Sequence, residues 1–141
     1  MVCCVFGHRD VPADIRSLLE HELERLVKKL RVDTVFIGRQ GAFDRIAAGV
    51  LRRLCEREVR LKCCEVLAYL PRGRSEAGEF ETILPEGIEC VPPRFAILWR
   101  NRWMVDRSDY VVVYMTRNHG GTAAVVDYAR RKGKEVINIA T

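Results

Sequence analysis

The sequence has no apolar run long enough to cross a membrane, and it has no internal repeat, low-complexity tract or linker. The missing span excludes an integral membrane protein built from helices. The first residues pass directly into a strand-like segment, without the pattern of a signal peptide. We therefore expect a cytoplasmic protein with no membrane partner.

The sequence also lacks any Cys-x-x-Cys spacing, although it contains six cysteines. Four of them form the adjacent pairs Cys3-Cys4 and Cys63-Cys64 in strand-like segments, where neighbouring side chains point to opposite faces. We interpret them as reduced, mostly buried thiols. One metal alternative stays open, and it consists of Cys3, His8 and His119. No metal and no cofactor are predicted.

Length and composition indicate one globular domain that covers residues 1–141. The chain is 48% hydrophobic and 30% charged, which is ordinary for a folded domain. Its net charge of +5 is spread over the predicted helices and is not gathered in one run. This charge permits an anionic ligand such as a nucleotide, but does not by itself indicate nucleic acid.

Hydrophobic periodicity predicts that strands and helices alternate along the chain. The predicted strands are Val2–Phe6, Asp33–Ile37, Leu61–Leu70, Tyr110–Tyr114 and Glu135–Ile139. The predicted helices are Ala13–Leu30, Asp44–Arg57, Pro93–Arg107 and Thr122–Lys132. The fold class is α/β, a Rossmann-like three-layer sandwich with a mostly parallel five-stranded sheet. The stretch Pro71–Pro93 is predicted to be irregular, either as a lid or as a tolerated surface insertion.

Two glycine turns between a strand and a helix are candidate phosphate cradles. Gly120-Gly121 follows the apolar strand Tyr110–Tyr114, and Thr122 is a natural N-cap for the next helix. The free N–H groups and positive dipole end of such a helix favour an anion. The second turn contains Gly38 and Gly41, with Asp44 as the predicted cap.

Ligands of open α/β sheets bind beyond the carboxyl ends of the strands, where the strand order reverses. If the strands Val2–Phe6 and Tyr110–Tyr114 are neighbours, one crevice is lined by His8, Arg9, Arg100, Asn101, Gly120, Gly121 and Asp127. In it the arginines suit phosphate, Asn101 suits a ribose hydroxyl or a base edge, and Asp127 is the carboxylate.

Each of these polar residues also has a purely structural explanation. Asp127 suits the dipole of its helix, and His8 can hydrogen-bond within its own loop. Arg100 can pair with Asp106 or Asp109. Arg100 and Asn101 are nevertheless embedded in an apolar helix, where two hydrophilic side chains need a partner.

Four motifs together resemble the SLOG superfamily of Rossmann-like domains, most closely its small bacterial YpsA-like proteins. The motifs are Gly7-His8-Arg9, Gly38-x-x-Gly41-x-Phe43-Asp44, Arg100-Asn101 with Met104, and Gly120-Gly121 before Asp127-Tyr128-Ala129. The resemblance covers nearly the whole chain and implies a nucleotide-related ligand. The superfamily also includes the Lonely Guy phosphoribohydrolases, which release a base from a nucleoside monophosphate. Arg100 matches their Arg, and Asp127 stands where they have a catalytic Glu.

Three functions follow from the residues and the resemblance. The first is a sensor or regulatory domain that binds a small nucleotide-like ligand. The alternative is a nucleoside-monophosphate N-glycosidase with Arg100 and Asp127 as catalytic residues. A nucleic-acid-binding module, by analogy with the DprA branch of the superfamily, is expected least, so nucleic acid is an unlikely partner.

The predicted ligand-binding residues are Gly7, His8, Arg9, Gly38, Gly41, Phe43, Asp44, Asn101, Gly120, Gly121 and Thr122. A homodimer contact is expected through the apolar helix Phe95–Val105.

Overall fold

A computed structural model describes residues 1–70 and 80–140 of the chain. The strands are β1 Val2–Gly7, β2 Thr34–Ile37, β3 Lys62–Val66, β4 Glu81–Ile83, β5 Tyr110–Tyr114 and β6 Glu135–Asn138. The helices are α1 Ile15–Lys29, α2 Gly41–Arg57, α3 Pro93–Asp106 and α4 Gly121–Arg131, with a short 3-10 helix at Ile88–Cys90.

The strands form one parallel sheet in the order β4-β3-β2-β1-β5-β6. The α/β fold class and the Rossmann-like architecture are therefore confirmed. The predicted strand number of five is wrong, because the sheet has six strands. The sequence left open whether the strands Val2–Phe6 and Tyr110–Tyr114 are neighbours. They are, since Cys3 of β1 pairs with Tyr110 of β5 and Gly7 with Tyr114.

The missed strand is β4, which lies inside the stretch predicted to be irregular. It has three residues, and its side chains are exposed or half-buried at the edge of the sheet. Such a short edge strand carries no hydrophobic alternation, so only its backbone pairing with β3 reveals it. Residues 71–79 of the predicted lid lie outside the described residues, and the lid stays a prediction.

Both faces of the sheet are covered, and each face has its own hydrophobic core. One core combines the buried residues of α1 and α2 with Cys3 and Val5. The other combines apolar residues of α3 and α4 with Cys4 and Phe6, and these are Met104, Val105, Val125, Val126 and Ala129. Neighbouring residues of β1 thus point to opposite cores, as predicted. All six cysteines are free thiols, four of them buried.

Two helices begin earlier than predicted. Helix α2 begins at Gly41, so Asp44 lies in its first turn and does not precede it. Helix α4 begins at Gly121, and no side-chain cap hydrogen bond is made there, so the N-cap role predicted for Thr122 is wrong. A glycine in a turn can itself start a helix, and the polar residue that follows then lies inside the first turn.

Helix α3 is less buried than its apolar sequence predicts. Phe95 and Leu98 are exposed, while the polar pair Arg100 and Asn101 is buried. The helix therefore turns hydrophilic side chains inward, towards the carboxyl edge of the sheet. A single chain does not test the homodimer contact predicted at Phe95–Val105.

Within residues 1–70 and 80–140, no helix is long and apolar enough to span a bilayer. The same residues contain no cluster of three or more His, Cys, Asp or Glu side chains suited to a metal ion. The residues of the metal alternative are separated, since Cys3 is fully buried in the core under α1 and α2, whereas His8 and His119 line a surface crevice.

Candidate functional site

A crevice of about 390 Å³ opens at the carboxyl ends of the strands. It lies where the chain order reverses, because β1 has β2 on one side and β5 on the other. Its volume is at the lower end of the range of small-molecule sites, about 300–1,000 Å³. It is lined by Phe6, Gly7, His8, Arg9, Asp10, Gln40, Asp44, Ile97, Arg100, Asn101, Arg117, His119, Gly120, Gly121, Thr122 and Val125.

Arg100 is the buried cation at the base of this crevice, with 3% of its surface exposed. Its Nη1 donates to the carbonyl oxygen of Val66 at 2.9 Å, which ties α3 to the end of β3. Its Nε donates to Oδ1 of Asn101 at 2.9 Å, and its Nη2 donates to Oε1 of Gln40 at 2.7 Å. The two hydrophilic residues of α3 are thus partners of each other.

The pairing of Arg100 with Asp106 or Asp109 that the sequence left open does not occur. Asp106 accepts a hydrogen bond from the hydroxyl of Tyr128, and Asp109 accepts one from the backbone N–H of Val2. Gly38 allows Arg100 to approach the turn before α2, since a methyl group there would lie 2.9 Å from its Nη1.

Asp44 is the carboxylate nearest to Arg100 in the crevice lining. Its Oδ2 accepts a hydrogen bond of 2.7 Å from the backbone N–H of Gln40. Burial raises the pKa of Asp44 to about 6, against the opposing effects of that hydrogen bond and of the Arg100 charge. Near neutral pH the crevice therefore contains a carboxylate that a modest acidification protonates.

His8 links the ends of β1 and β5. Its Nε2 accepts a hydrogen bond of 3.0 Å from the backbone N–H of Thr116, so the neutral ring carries its proton on Nδ1. Burial, together with the charge of Arg117, lowers the pKa of His8 below its usual value. The ring is thus kept neutral, with one N–H donor at the crevice wall.

The N-terminus of α4 also lines the crevice, through Gly121 and Thr122. Gly120 has a φ of 94°, a conformation that glycine adopts without strain. A methyl group added at Gly121 would meet no atom within 4 Å, so the backbone is open to the crevice. The first N–H groups of a helix have no acceptor within it, and they point towards its N-terminal end.

The crevice contains nine of the thirteen residues that the sequence predicted for the site. These are Gly7, His8, Arg9, Asp44, Arg100, Asn101, Gly120, Gly121 and Thr122. Four predicted residues do not line it. Gly38, Gly41 and Phe43 support it from below, and Asp127 is exposed on α4.

The supporting glycines allow close packing. The ring of Phe43 is fully buried against β1, where a methyl group on Gly7 would lie 2.3 Å from its Cδ2. Gly41 has a φ of 81°, and a methyl group there would lie 2.9 Å from Cα of Arg9. These residues shape the floor of the crevice through sterics.

Sequence reasoning missed several lining residues, of which Gln40 is the most informative. It lies in the strand-end segment 38–41, which the sequence indicated as a place for a ligand, but it was not among the predicted site residues. Asp10 and Arg117 were also missed. They form an exposed ion pair of 3.1 Å across the rim.

No protein-family model matches the sequence, and no curated protein matches it. Among solved structures, DNA processing protein A (DprA) from Streptococcus pneumoniae matches 95% of the chain with a TM-score of 0.70. The chain shares its fold with DprA. It is 16% identical to that protein and spans 48% of its length. DprA from Helicobacter pylori matches with a TM-score of 0.60 at 15% identity, over 96% of this chain and 63% of that one.

At these identities the likeness shows a common fold, and it is consistent with the SLOG resemblance of the sequence. The Helicobacter pylori structure describes the single-stranded DNA binding mode of that DprA. The expectation that nucleic acid is an unlikely partner is corrected by this finding, because a protein of the same fold binds single-stranded DNA.

Proposed function

We propose that the crevice binds a nucleotide through its phosphate, and that single-stranded nucleic acid supplies this nucleotide. The observation that carries the proposal is the excess of hydrogen-bond donors around the crevice. His8, Arg9 and the first residues of α4, Gly121 and Thr122, line the same space, and each of them carries N–H groups. A phosphate has only acceptor oxygens at neutral pH, so it suits such a wall.

Two observations favour a polymer over a free nucleotide. Basic side chains continue onto the rim, where Arg9, Arg117 and His119 line the mouth of the crevice. They can contact the phosphates that flank a bound nucleotide in a strand. The likeness to a DprA that binds single-stranded DNA supports the same choice.

The decisive experiment places a negative charge at the predicted phosphate position. We expect Gly121→Asp to weaken binding of a fluorescent single-stranded oligonucleotide by at least about tenfold, because the carboxylate repels phosphate. The fold should keep its stability, since the added side chain enters open space and suits the helix dipole. Fluorescence anisotropy gives the affinity, and a thermal melt checks the fold.

The matched control is Ala124→Asp, which adds the same charge to the same turn of α4. Ala124 is exposed and does not line the crevice, so affinity should change by less than about threefold. Equal losses in both variants would assign binding to general surface charge. Unchanged binding in Gly121→Asp would overturn the proposed phosphate position. A second experiment measures the affinity for nucleoside monophosphates. If they bind as tightly as the oligonucleotide, the proposal that the nucleotide belongs to a nucleic acid is wrong.

The N-glycosidase alternative requires a carboxylate beside the bound sugar. Asp127 is exposed and is not among the residues that line the crevice, so no contact supports that role. The proposal is therefore binding without turnover. Release of free base from a nucleoside monophosphate, measured by chromatography and lost in Asp127→Asn, would establish the alternative instead.

A further inference from the structure

The orientation of two amide side chains in the crevice is fixed by one guanidinium. Adjacent nitrogens of Arg100 donate to Oδ1 of Asn101 and to Oε1 of Gln40. The Gln40 oxygen also accepts from the backbone N–H of Arg39 at 3.3 Å. A guanidinium offers donors only, so turning either amide over would place its NH₂ group against another donor.

Because Oδ1 of Asn101 and Oε1 of Gln40 face the guanidinium, each amide presents its NH₂ group to a ligand. Asn101 is 8% exposed, and it lines the crevice together with Gln40. Among the described residues neither NH₂ group has an acceptor, and no fully buried side-chain polar atom is left without a partner. Both NH₂ groups therefore reach the open space of the crevice.

We propose that Arg100 is a positioning residue that makes Gln40 and Asn101 a pair of donors, so that the crevice prefers a guanine base to an adenine base. This inference rests on the proposed nucleotide binding and specifies its ligand. It also changes the role expected for Arg100, whose three nitrogens are all bound to protein oxygens.

The preference follows from the hydrogen-bonding groups of the bases. A free amide recognises adenine by accepting from N6–H₂ while it donates to N7, and this needs both ends of the amide. Here the oxygen of each amide faces Arg100, so the amide cannot turn that oxygen towards N6–H₂ while its NH₂ group reaches N7. Guanine presents two neighbouring acceptors, O6 and N7, which match paired donors. The carboxylate of Asp44 lies in the same lining and can accept the N1–H that guanine carries beside O6.

The test compares two thymidine oligonucleotides, one with a single central guanine and one with a single central adenine. We expect the wild type to bind the guanine strand at least about fivefold more tightly. Asn101→Asp and Gln40→Glu keep the oxygen that faces Arg100 but replace the donor with an acceptor, so the preference should disappear. The control is Asn118→Asp, which adds the same charge. Asn118 is exposed and does not line the crevice, so this variant should keep the preference for guanine.

Arg100→Lys provides the direct test of positioning. Lysine lacks the planar fork, so the amides are free to turn and the ratio of the two affinities should approach one. This ratio is measured on one protein sample and does not depend on the folded fraction, so it separates positioning from stability. If Arg100→Lys fails to fold, Asn101→Asp and Gln40→Glu still test whether the two amides select the base.

The outcomes also separate this inference from the function on which it rests. Wild-type protein that binds both strands equally would overturn the guanine preference and leave the nucleotide site standing. Wild-type protein that binds neither strand and no nucleoside monophosphate would overturn the site itself. A preference that survives in Asn101→Asp and Gln40→Glu would show that other groups select the base.

Discussion

Asp44 carries a charge that opposes the phosphate proposed for the crevice. Its pKa is raised from 3.8 to about 6 by burial, so lowering the pH from about 7.5 to about 5.5 protonates most of it. We expect the affinity for a thymidine oligonucleotide, which has no guanine to hydrogen-bond Asp44, to rise over this range, because the repulsion between the carboxylate and the phosphate is removed. Phosphodiesters do not titrate there. Anisotropy measures the affinity at each pH, and loss of the pH dependence in Asp44→Asn would assign it to this carboxyl.

The same shift has a defined effect on stability. The folded pKa lies above the unfolded value, so the folded state binds the proton more tightly. The free energy of unfolding should therefore fall as pH rises from about 4 to about 6, and then stay level. Ionising Asp44 lowers the free energy of unfolding by about 3 kcal/mol at most. Asp44→Asn has no carboxyl to ionise and should lack this pH dependence. Urea unfolding of the wild type and of Asp44→Asn at several pH values between about 4 and about 6 measures it. An identical pH dependence would contradict the raised pKa.

For single residues, the sequence indicated which ones lie at the crevice better than it indicated what each one contacts there. Arg100 and Asn101 were recognised because hydrophilic residues in an apolar helix need partners, and the structure makes them partners of each other. Thr122 was expected to cap α4, but the helix begins one residue earlier. Gln40 could not be assigned, because its importance comes from a contact with a residue 60 positions away.

Among the elements, α2 packs onto β1 through a contact that tolerates no added atom. A methyl group on Gly7 would lie 2.3 Å from Cδ2 of the fully buried Phe43. We expect Gly7→Ala to lower the free energy of unfolding by about 1–3 kcal/mol, because the ring has to move. Chemical denaturation measures this loss, and the melting temperature should fall by about 4 °C for each kcal/mol lost.

Gly49→Ala is the matched control for this packing prediction. Gly49 lies inside α2, and its added methyl group would meet only Nη1 of Arg16, at 3.7 Å. The same chemical change should here raise stability by up to about 1 kcal/mol, since alanine is the better helix former. Destabilisation of equal size at both positions would refute the steric argument.

Hydrophobic periodicity predicted which segments are helices and which are strands. It did not predict where these elements begin and end, or the shortest strand. Long amphipathic helices such as α1 and α2 carry many buried positions at helical spacing, so a few exceptions do not hide them. Strand β4 has three residues, and its neighbour β3 determines where it pairs. A helix start that depends on a glycine conformation, as at Gly41, is likewise invisible in hydrophobicity.

For the whole molecule, the alternation of strands and helices predicted a parallel sheet with a ligand beyond the carboxyl ends of its strands, but it did not show which strands are neighbours. The structure has the crevice at the reversal of strand order between β1 and β5. Net charge was less informative. A value of +5 spread over the surface suits a free nucleotide and a nucleic acid equally, so composition could not choose between them. Our proposal of a nucleic acid rests on the basic rim of the crevice and on a fold that a DprA with a single-stranded DNA binding mode shares.

The salt dependence of binding tests whether the positive charge acts locally or over the whole surface. Each phosphate that a single strand contacts contributes about −0.7 to the slope of log affinity against log salt. We expect Arg9→Ala, at the rim, to make the slope shallower by about that amount. Arg130→Ala removes the same charge from the exposed last turn of α4, about 14 Å of helix away from Gly121, and should leave the slope unchanged. Equal changes in both variants, measured by anisotropy at several salt concentrations, would mean that the strand is held by the whole basic surface and not by the crevice.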